Sequence, residues 1–148
     1  MASEPLSAER GVRAASDRFY DALNRMANGD AGPMSAVWSH RDDVTTMHPI
    51  GGREVGWDEV RGPWQSVADV ASDGSVERTD QLIRVAGELA YELVTERVSM
   101  SVAGEPMRME TRATNVYRLE DGEWKVVHHH TDANEEFIEL LGRLDAAE

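Results

Sequence analysis

The chain of 148 residues contains no cysteine, which excludes disulfide bonds and thiolate chemistry and suits a reducing cytoplasm. It has no apolar run near the roughly 18 residues that a membrane-spanning helix needs, and its first residues lack the basic-then-apolar order of a secretory signal. Cationic side chains are few, because 15 Lys and Arg stand against 28 Asp and Glu, for a formal net charge of −13. We therefore expect a cytoplasmic protein that binds neither nucleic acid nor membranes.

Apolar residues make up 41% of the chain, enough for the core of one domain. We expect residues 1–7 to form a loose tail and residues 8–148 to form the domain. Apolar side chains recur every three or four residues in the first half, which predicts amphipathic helices. The predicted helices run from Ser7 to Asn28, from Pro33 to Trp38 and from Trp57 to Ala71, with a kink at Pro63 in the third.

The second half changes to the two-residue periodicity of β-strands. Short turns separate four predicted strands, so neighbours should pair antiparallel. A short strand is also expected at residues 44–48, a loop at 50–56 and a final helix at 133–144. Helices followed by a meander of long strands indicate an α+β fold. The four long strands are Val76–Val85, Leu89–Val102, Met107–Leu119 and Glu123–Thr131.

The segment Glu123–Thr131 is the most informative part of the chain. It follows Asp121-Gly122, a strong hairpin signal. A two-residue loop there would pair Tyr117 with Val126, Asn115 with His128, and Ala113 with His130. Because side chains alternate along a strand, one face would carry Trp124, Val126, His128 and His130. We predict that this face lies inside, under the helices, as the wall of a pocket.

Several segments together resemble the nuclear transport factor 2-like superfamily, and within it the SnoaL-like group related to polyketide cyclases and ketosteroid isomerases. The last segment also resembles the association domain of calcium/calmodulin-dependent protein kinase II. The segments that carry the resemblance are residues 19–24, 38–40, 44–49, 56–60, 90–92 and 112–130. The resemblance implies a cone, in which a strongly curved antiparallel sheet wraps around the N-terminal helices, with a C-terminal helix and one deep apolar pocket.

The candidate site follows from the predicted inner face and from this resemblance. His128 and His130 titrate near neutrality, and an acid in an apolar cavity has a raised pKa. We expect catalytic roles for His128, His130, Asp132 and Glu96, and ligand contacts from Tyr20, Trp38, His48, Trp64 and Asn115.

Each candidate also has a purely structural interpretation. The two histidines could belong to a polar core network. Glu96 faces inward in one register of its strand, which the kinase resemblance favours, and outward in the other. Asp132 lies near where the resemblance places a catalytic acid, but it could equally cap the last helix. A zinc site of the two histidines with His48 lacks a supporting carboxylate, so no metal is predicted.

Two functions compete. The first is cofactor-free acid/base conversion of a small hydrophobic metabolite, as in an isomerase, cyclase or dehydratase. The second is a non-catalytic ligand-binding or assembly domain, like the kinase association domain. In either case the resemblance implies a homodimer formed through the outer face of the sheet.

Overall fold

The computed structural model describes residues 3–146, which form four helices and six strands. The order of helices first and long strands second confirms the α+β prediction. The elements are α1 (Ser3–Met26), α2 (Met34–Val37), β1 (Thr45–His48), β2 (Gly51–Val55), α3 (Trp57–Ala68), β3 (Ala71–Ala86), β4 (Leu89–Val102), β5 (Glu105–Glu120), β6 (Glu123–Thr131) and α4 (Glu135–Ala146).

The strands form one curved sheet in the order β2-β1-β6-β5-β4-β3. The long strands β3 to β6 form the predicted antiparallel meander. The short strand β1 joins it by parallel pairing with β6. Residues 50–56 were predicted to be a loop, but β2 occupies most of this segment and pairs with β1. This prediction was wrong because two glycines hid a short edge strand.

Helix α1 lies across the concave face of the sheet and is fixed to the edge strand β3 by two asparagines. The amide of Asn24 donates to the carbonyl of Val76 (2.9 Å) and accepts from its N–H (2.8 Å). Asn28 makes the same pair of bonds to Gly74. A Cβ on Gly74 would lie 2.3 Å from that of Ala27, so only glycine allows this approach. The helix begins at Ser3, earlier than the predicted start at Ser7.

The core lies between α1, α3 and the concave face of the sheet. Inward-facing residues alternate along β4 and β5, as the two-residue periodicity requires. The kink expected at Pro63 does not interrupt α3, which is one helix from Trp57 to Ala68. Its buried residues Val60, Trp64 and Ala68 recur every four residues and face the core.

A β-bulge in β6 reverses the predicted face of its second half. Near the turn the pairing is as predicted, with Tyr117 opposite Val126. Beyond it Val116 pairs with His128, so Val127 is an extra residue on the β6 side. The bulge lies where β6 changes neighbours, from a bridge between Val126 and Trp38 to the pairing with β1. An extra residue moves every later side chain to the opposite face.

Candidate functional site

The bulge places His129 inside the sheet and turns His128 and His130 outward. His129 is buried opposite Asn115, whereas His130 is exposed and pairs with Thr114. His128 is half-buried on the outer face, where its Nδ1 lies 2.7 Å from Oγ1 of Thr45. The prediction that His128 and His130 line an interior pocket was therefore wrong.

Asp132 also lies outside the interior. Its carboxylate accepts hydrogen bonds from the Arg112 guanidinium (2.8 and 3.2 Å) and from the Arg112 backbone N–H (3.1 Å), which hold the Asp132 pKa below its usual range. It does not cap α4 either, because Asn134 accepts the hydrogen bond from the Phe137 backbone N–H (2.9 Å). Asp132 is thus a surface ion-pair residue.

An apolar cavity of about 320 Å³ opens between α1, α3, α4 and the concave face of the sheet. Its size falls at the small end of the range for small-molecule sites, roughly 300–1,000 Å³. Aliphatic side chains and Met form most of its wall. The polar residues in its wall are His48, Ser66, Glu96, His129 and Thr131.

Glu96 is the acid of this cavity. It lies in the middle of β4 and faces inward, in the register that the resemblance favoured. The hydroxyl of Tyr20 donates a hydrogen bond of 2.6 Å to its Oε2. Burial raises the Glu96 pKa to about 7, the nearby Glu92 carboxylate adds to this, and the Tyr20 hydrogen bond opposes it. Glu96 is therefore present in both protonation states near neutral pH.

Glu92 lies two inward positions earlier on β4, beyond Val94, and anchors a buried hydrogen-bond network. It is fully buried and accepts four hydrogen bonds, which match the acceptor capacity of a carboxylate. The donors are the hydroxyls of Ser16 (2.6 Å) and Tyr117 (2.7 Å) and the amides of Gln81 (2.6 Å) and Asn115 (3.0 Å).

Asn115 links this network to the cavity. Its Nδ2 also donates to the Tyr20 hydroxyl (3.0 Å), and its Oδ1 lies 2.5 Å from Nδ1 of His129. Burial lowers the pKa of His129 well below its usual range, and the neighbouring histidines lower it further. His129 is therefore a neutral imidazole in the cavity wall at neutral pH.

His48 and Trp64 lie close together on the other side of His129. The ring centroids of His48 and Trp64 are 4.6 Å apart in an edge-to-face arrangement, and that of Trp64 is 5.6 Å from His129. Burial lowers the pKa of His48, although Glu54 opposes the shift. Nε2 of His48 lies 3.5 Å from Oε1 of Glu54 without forming a hydrogen bond.

Three polar atoms of cavity-lining residues have no hydrogen-bond partner within the described part of the chain. They are Nε2 of His48, Nε1 of Trp64 and Oγ1 of Thr131. Buried polar atoms are usually paired with protein or water. Water or a polar group of a bound molecule can satisfy these three atoms.

The structure thus brings together five of the nine predicted site residues and adds others. Glu96, His48 and Trp64 line the cavity, and Tyr20 and Asn115 lie directly behind its wall. Trp38 is buried beside Phe19 and Trp64 and does not appear in the wall. His129 and Thr131 were missed because strict alternation assigned them to the outer face.

A curved sheet closed over an apolar cavity by helices places the protein among nuclear transport factor 2-like folds. The chain belongs to the SnoaL-like domain family, whose model matches residues 12–132. Among the described residues, no helix has the length and apolar character to cross a membrane.

Solved structures of other proteins are similar to most of the chain. A presumed dehydratase of the same superfamily from Streptomyces avermitilis is 26% identical, covers 88% of this chain and 98% of its own, and has a TM-score of 0.77. A presumed calcium/calmodulin-dependent protein kinase type II association domain from Thiobacillus denitrificans is 29% identical, covers 82% and 94%, and has a TM-score of 0.65.

A curated relative is similar over a shorter stretch. The F-box protein SKIP8 of Arabidopsis thaliana is 28% identical over 98 residues, which are 66% of this chain. The match spans only 40% of that protein.

Proposed function

We propose that the protein binds a small hydrophobic molecule in the cavity and converts it by cofactor-free acid/base chemistry, with Glu96 as the proton-transfer group. One observation carries this proposal: a carboxyl group whose pKa is raised to about 7 lies in the wall of an apolar cavity. General acid/base catalysis is most efficient when the pKa of the catalytic group lies near the operating pH. The similarity to a presumed dehydratase supports the same class of chemistry.

In this proposal the ionised carboxylate of Glu96 takes a proton from carbon next to a carbonyl group. The electron pair of the broken C–H bond moves toward the carbonyl oxygen and forms an enolate. Protonated Glu96 then returns the proton at a second position, which isomerises the molecule, or to a leaving hydroxyl, which releases water. Tyr20 keeps its own proton, since burial and the adjacent Glu96 raise its pKa well above the usual value. It therefore holds the Glu96 carboxylate in place as a constant donor.

Ligand binding can be tested with the uncharged fluorescent probe 1-aminoanthracene. We expect saturable binding to the wild-type protein. Val98→Phe places a larger side chain in the cavity wall and should weaken binding at least about tenfold, because a filled cavity loses the ligand's contacts. Arg97→Phe, on the neighbouring outward position of β4, is the matched control and should leave the affinity unchanged. Equal binding by both variants would place the probe elsewhere.

Proton transfer can be tested before any natural substrate is known. Small cyclic ketones and enones are incubated with the protein in D₂O, and NMR follows loss of the protons next to the carbonyl. We expect accelerated exchange for at least one compound. Glu96→Gln should reduce that acceleration about 100-fold or more, the usual contribution of a general base. His130→Gln is the control and should be without effect, since this imidazole faces solvent.

A non-catalytic ligand-binding or assembly domain is the second candidate. It is favoured by the 29% identity to a presumed kinase II association domain over most of both chains. Exchange that is absent throughout the panel, together with saturable probe binding, would support this candidate over the enzyme.

We also propose that the protein is a cytoplasmic homodimer formed through the outer face of the sheet. Four large apolar side chains on that face of β3 and β4 are 38% to 49% exposed: Leu82, Leu89, Tyr91 and Leu93. Leu82 and Leu93 are directly paired across the two strands. Such a patch is typical of an interaction surface.

Leu93→Glu should dissociate this dimer, because it places a charge in the apolar contact of both copies. We expect the dissociation constant to rise about 30-fold or more, as for a central interface residue. Sedimentation velocity at micromolar concentrations measures the change. Val55→Glu, at another exposed apolar residue on the edge strand β2, is the control. A wild-type protein that sediments as a monomer contradicts the proposal.

A further inference from the structure

The orientation of the Asn115 side-chain amide is determined by its two neighbours. Its Nδ2 faces Oε1 of Glu92 and the hydroxyl oxygen of Tyr20, both at 3.0 Å. Reversing the amide would place its oxygen against the Glu92 carboxylate, acceptor against acceptor. Glu92 already accepts from three other groups, so Asn115 must supply the fourth donor there. Its Oδ1 therefore faces His129 as an acceptor.

This orientation selects one tautomer of His129. The imidazole is neutral, so only one of its nitrogens carries a proton. Because Oδ1 of Asn115 accepts at 2.5 Å from Nδ1, the proton must lie on Nδ1. The other nitrogen, Nε2, then carries a lone pair and is the ring nitrogen left for a molecule in the cavity. Asn115 is a positioning residue, since it acts on a ligand through His129.

The cavity offers no counter-charge to an anion. None of the described residues in its wall is a Lys or an Arg, and His48 and His129 are neutral there. The nearest cation in the network, Arg78, lies over the Tyr20 ring at 5.1 Å from its centroid and is bound to Ser16 and Asp17. A carboxylate or phosphate in the cavity would lose its water and would face Glu96 instead.

We propose that the cavity selects an uncharged ligand with a hydroxyl group (an alcohol, a phenol or an enol) that donates a hydrogen bond to Nε2 of His129. This inference rests on the proposed binding function and names the ligand class of that site. A hydroxyl matches the lone pair on Nε2, and an uncharged apolar body matches the aliphatic and methionine side chains that form most of the wall. Glu92 fixes the orientation of the Asn115 amide, which places the proton of His129 on Nδ1 and leaves Nε2 as an acceptor.

The tautomer can be read directly by ¹⁵N–¹H NMR of the imidazole side chains in the wild-type protein. We expect His129 to show a protonated Nδ1 and an unprotonated Nε2 at neutral pH. The signals of the solvent-exposed His130 serve as the comparison, and a His130→Gln variant assigns them. A proton on Nε2 of His129 would overturn the inference and would leave the proposed function in place.

The ligand class is tested by calorimetric titration with two matched sets of compounds, one built on a benzyl group and one on a 2-naphthylmethyl group. Each set contains the alcohol, its methyl ether and the corresponding aryl carboxylate. We expect each alcohol that binds to exceed its ether about tenfold, since the ether leaves Nε2 without a donor. The carboxylate should bind at least about 100-fold more weakly than the alcohol, because a buried charge without a partner is strongly unfavourable.

Glu96→Met tests which acceptor the hydroxyl uses, since Met removes the carboxylate oxygens and keeps most of the volume. The alcohol should keep its preference over the ether in this variant; loss of the preference would assign the contact to Glu96 and overturn the inference. Ethers or carboxylates that bind wild type as tightly as alcohols would also overturn it, while the binding function stands. If no compound of either set binds while 1-aminoanthracene does, this inference fails and the binding function stands; if the probe does not bind either, both fail.

Discussion

Replacing Glu96 with Gln should make the protein more stable than the wild type at pH 8, and this advantage should shrink to a small fraction as the pH falls to 5. The Glu96 pKa is about 7 in the folded protein, against about 4.5 in an unfolded chain. Between these values the folded state binds the proton that the unfolded state releases, so the wild-type protein loses stability as pH rises through this window. Gln carries no charge and avoids the loss.

The expected size of the effect follows from the shift of roughly 2.5 pH units. At about 1.4 kcal/mol per unit, the free energy of unfolding of Glu96→Gln should exceed that of the wild type by about 3 kcal/mol at pH 8. Gln hydrogen-bonds Tyr20 differently from protonated Glu96, which adds to the difference an offset that is the same at every pH. The pH dependence of the difference is thus the decisive quantity, and urea unfolding at several pH values measures it.

Other buried groups change the stability of both proteins and cancel in the difference. Burial lowers the pKa values of His48 and His129. For these residues the unfolded chain takes up protons first as pH falls below about 6.5, so stability falls on the acid side. This trend is opposite to that of Glu96, and the wild-type curve should therefore be flatter than either contribution. A difference between wild type and variant that does not change from pH 5 to pH 8 would contradict the assignment to Glu96.

Glu92→Leu should cause the largest loss of stability among substitutions in the buried network. It leaves Ser16, Gln81, Asn115 and Tyr117 without their common acceptor, and buried donors without partners are costly. We expect the free energy of unfolding to fall by about 3–5 kcal/mol, as when one member of a buried charged network is removed. Chemical denaturation at pH 7 measures this change.

Glu110→Leu is the matched control for that experiment. Glu110 lies on the neighbouring strand β5, where it accepts a hydrogen bond from Arg97 at the exposed surface. Its replacement should change stability by less than about 1 kcal/mol. Equal losses for Glu92→Leu and Glu110→Leu would mean that the buried network contributes no more than a surface ion pair.

Strand periodicity and turn residues were enough to predict most of the fold. Asp121-Gly122 placed the last hairpin, and its first pairs, from Glu120–Glu123 to Tyr117–Val126, are as predicted. Turn signals of this kind depend on a few neighbouring residues, which a sequence shows directly. The alternation along β4 left both registers open, and only the resemblance to the kinase association domain favoured the one that places Glu96 in the interior.

The bulge at Val127 could not be read from the same pattern. A bulge of one residue leaves no composition signal here, because Val126 and Val127 are both valines and have the same strand preference. Its cause is the change of neighbours from the Trp38 bridge to β1, which depends on residues about 80 positions away. Strict alternation therefore assigned His128 and His130, and not His129, to the inner face of the sheet. Two of the four catalytic residues predicted from the sequence were wrong for this reason.

The central claim is that the Glu96 carboxyl group titrates near neutral pH inside the cavity. A ¹³C NMR titration of the side-chain carboxyl groups tests it directly, with the Glu96 signal assigned by its absence in Glu96→Gln. We expect the Glu96 signal to titrate with a midpoint of about 7. A midpoint near 4.5, the ordinary value of a glutamate, would contradict the account.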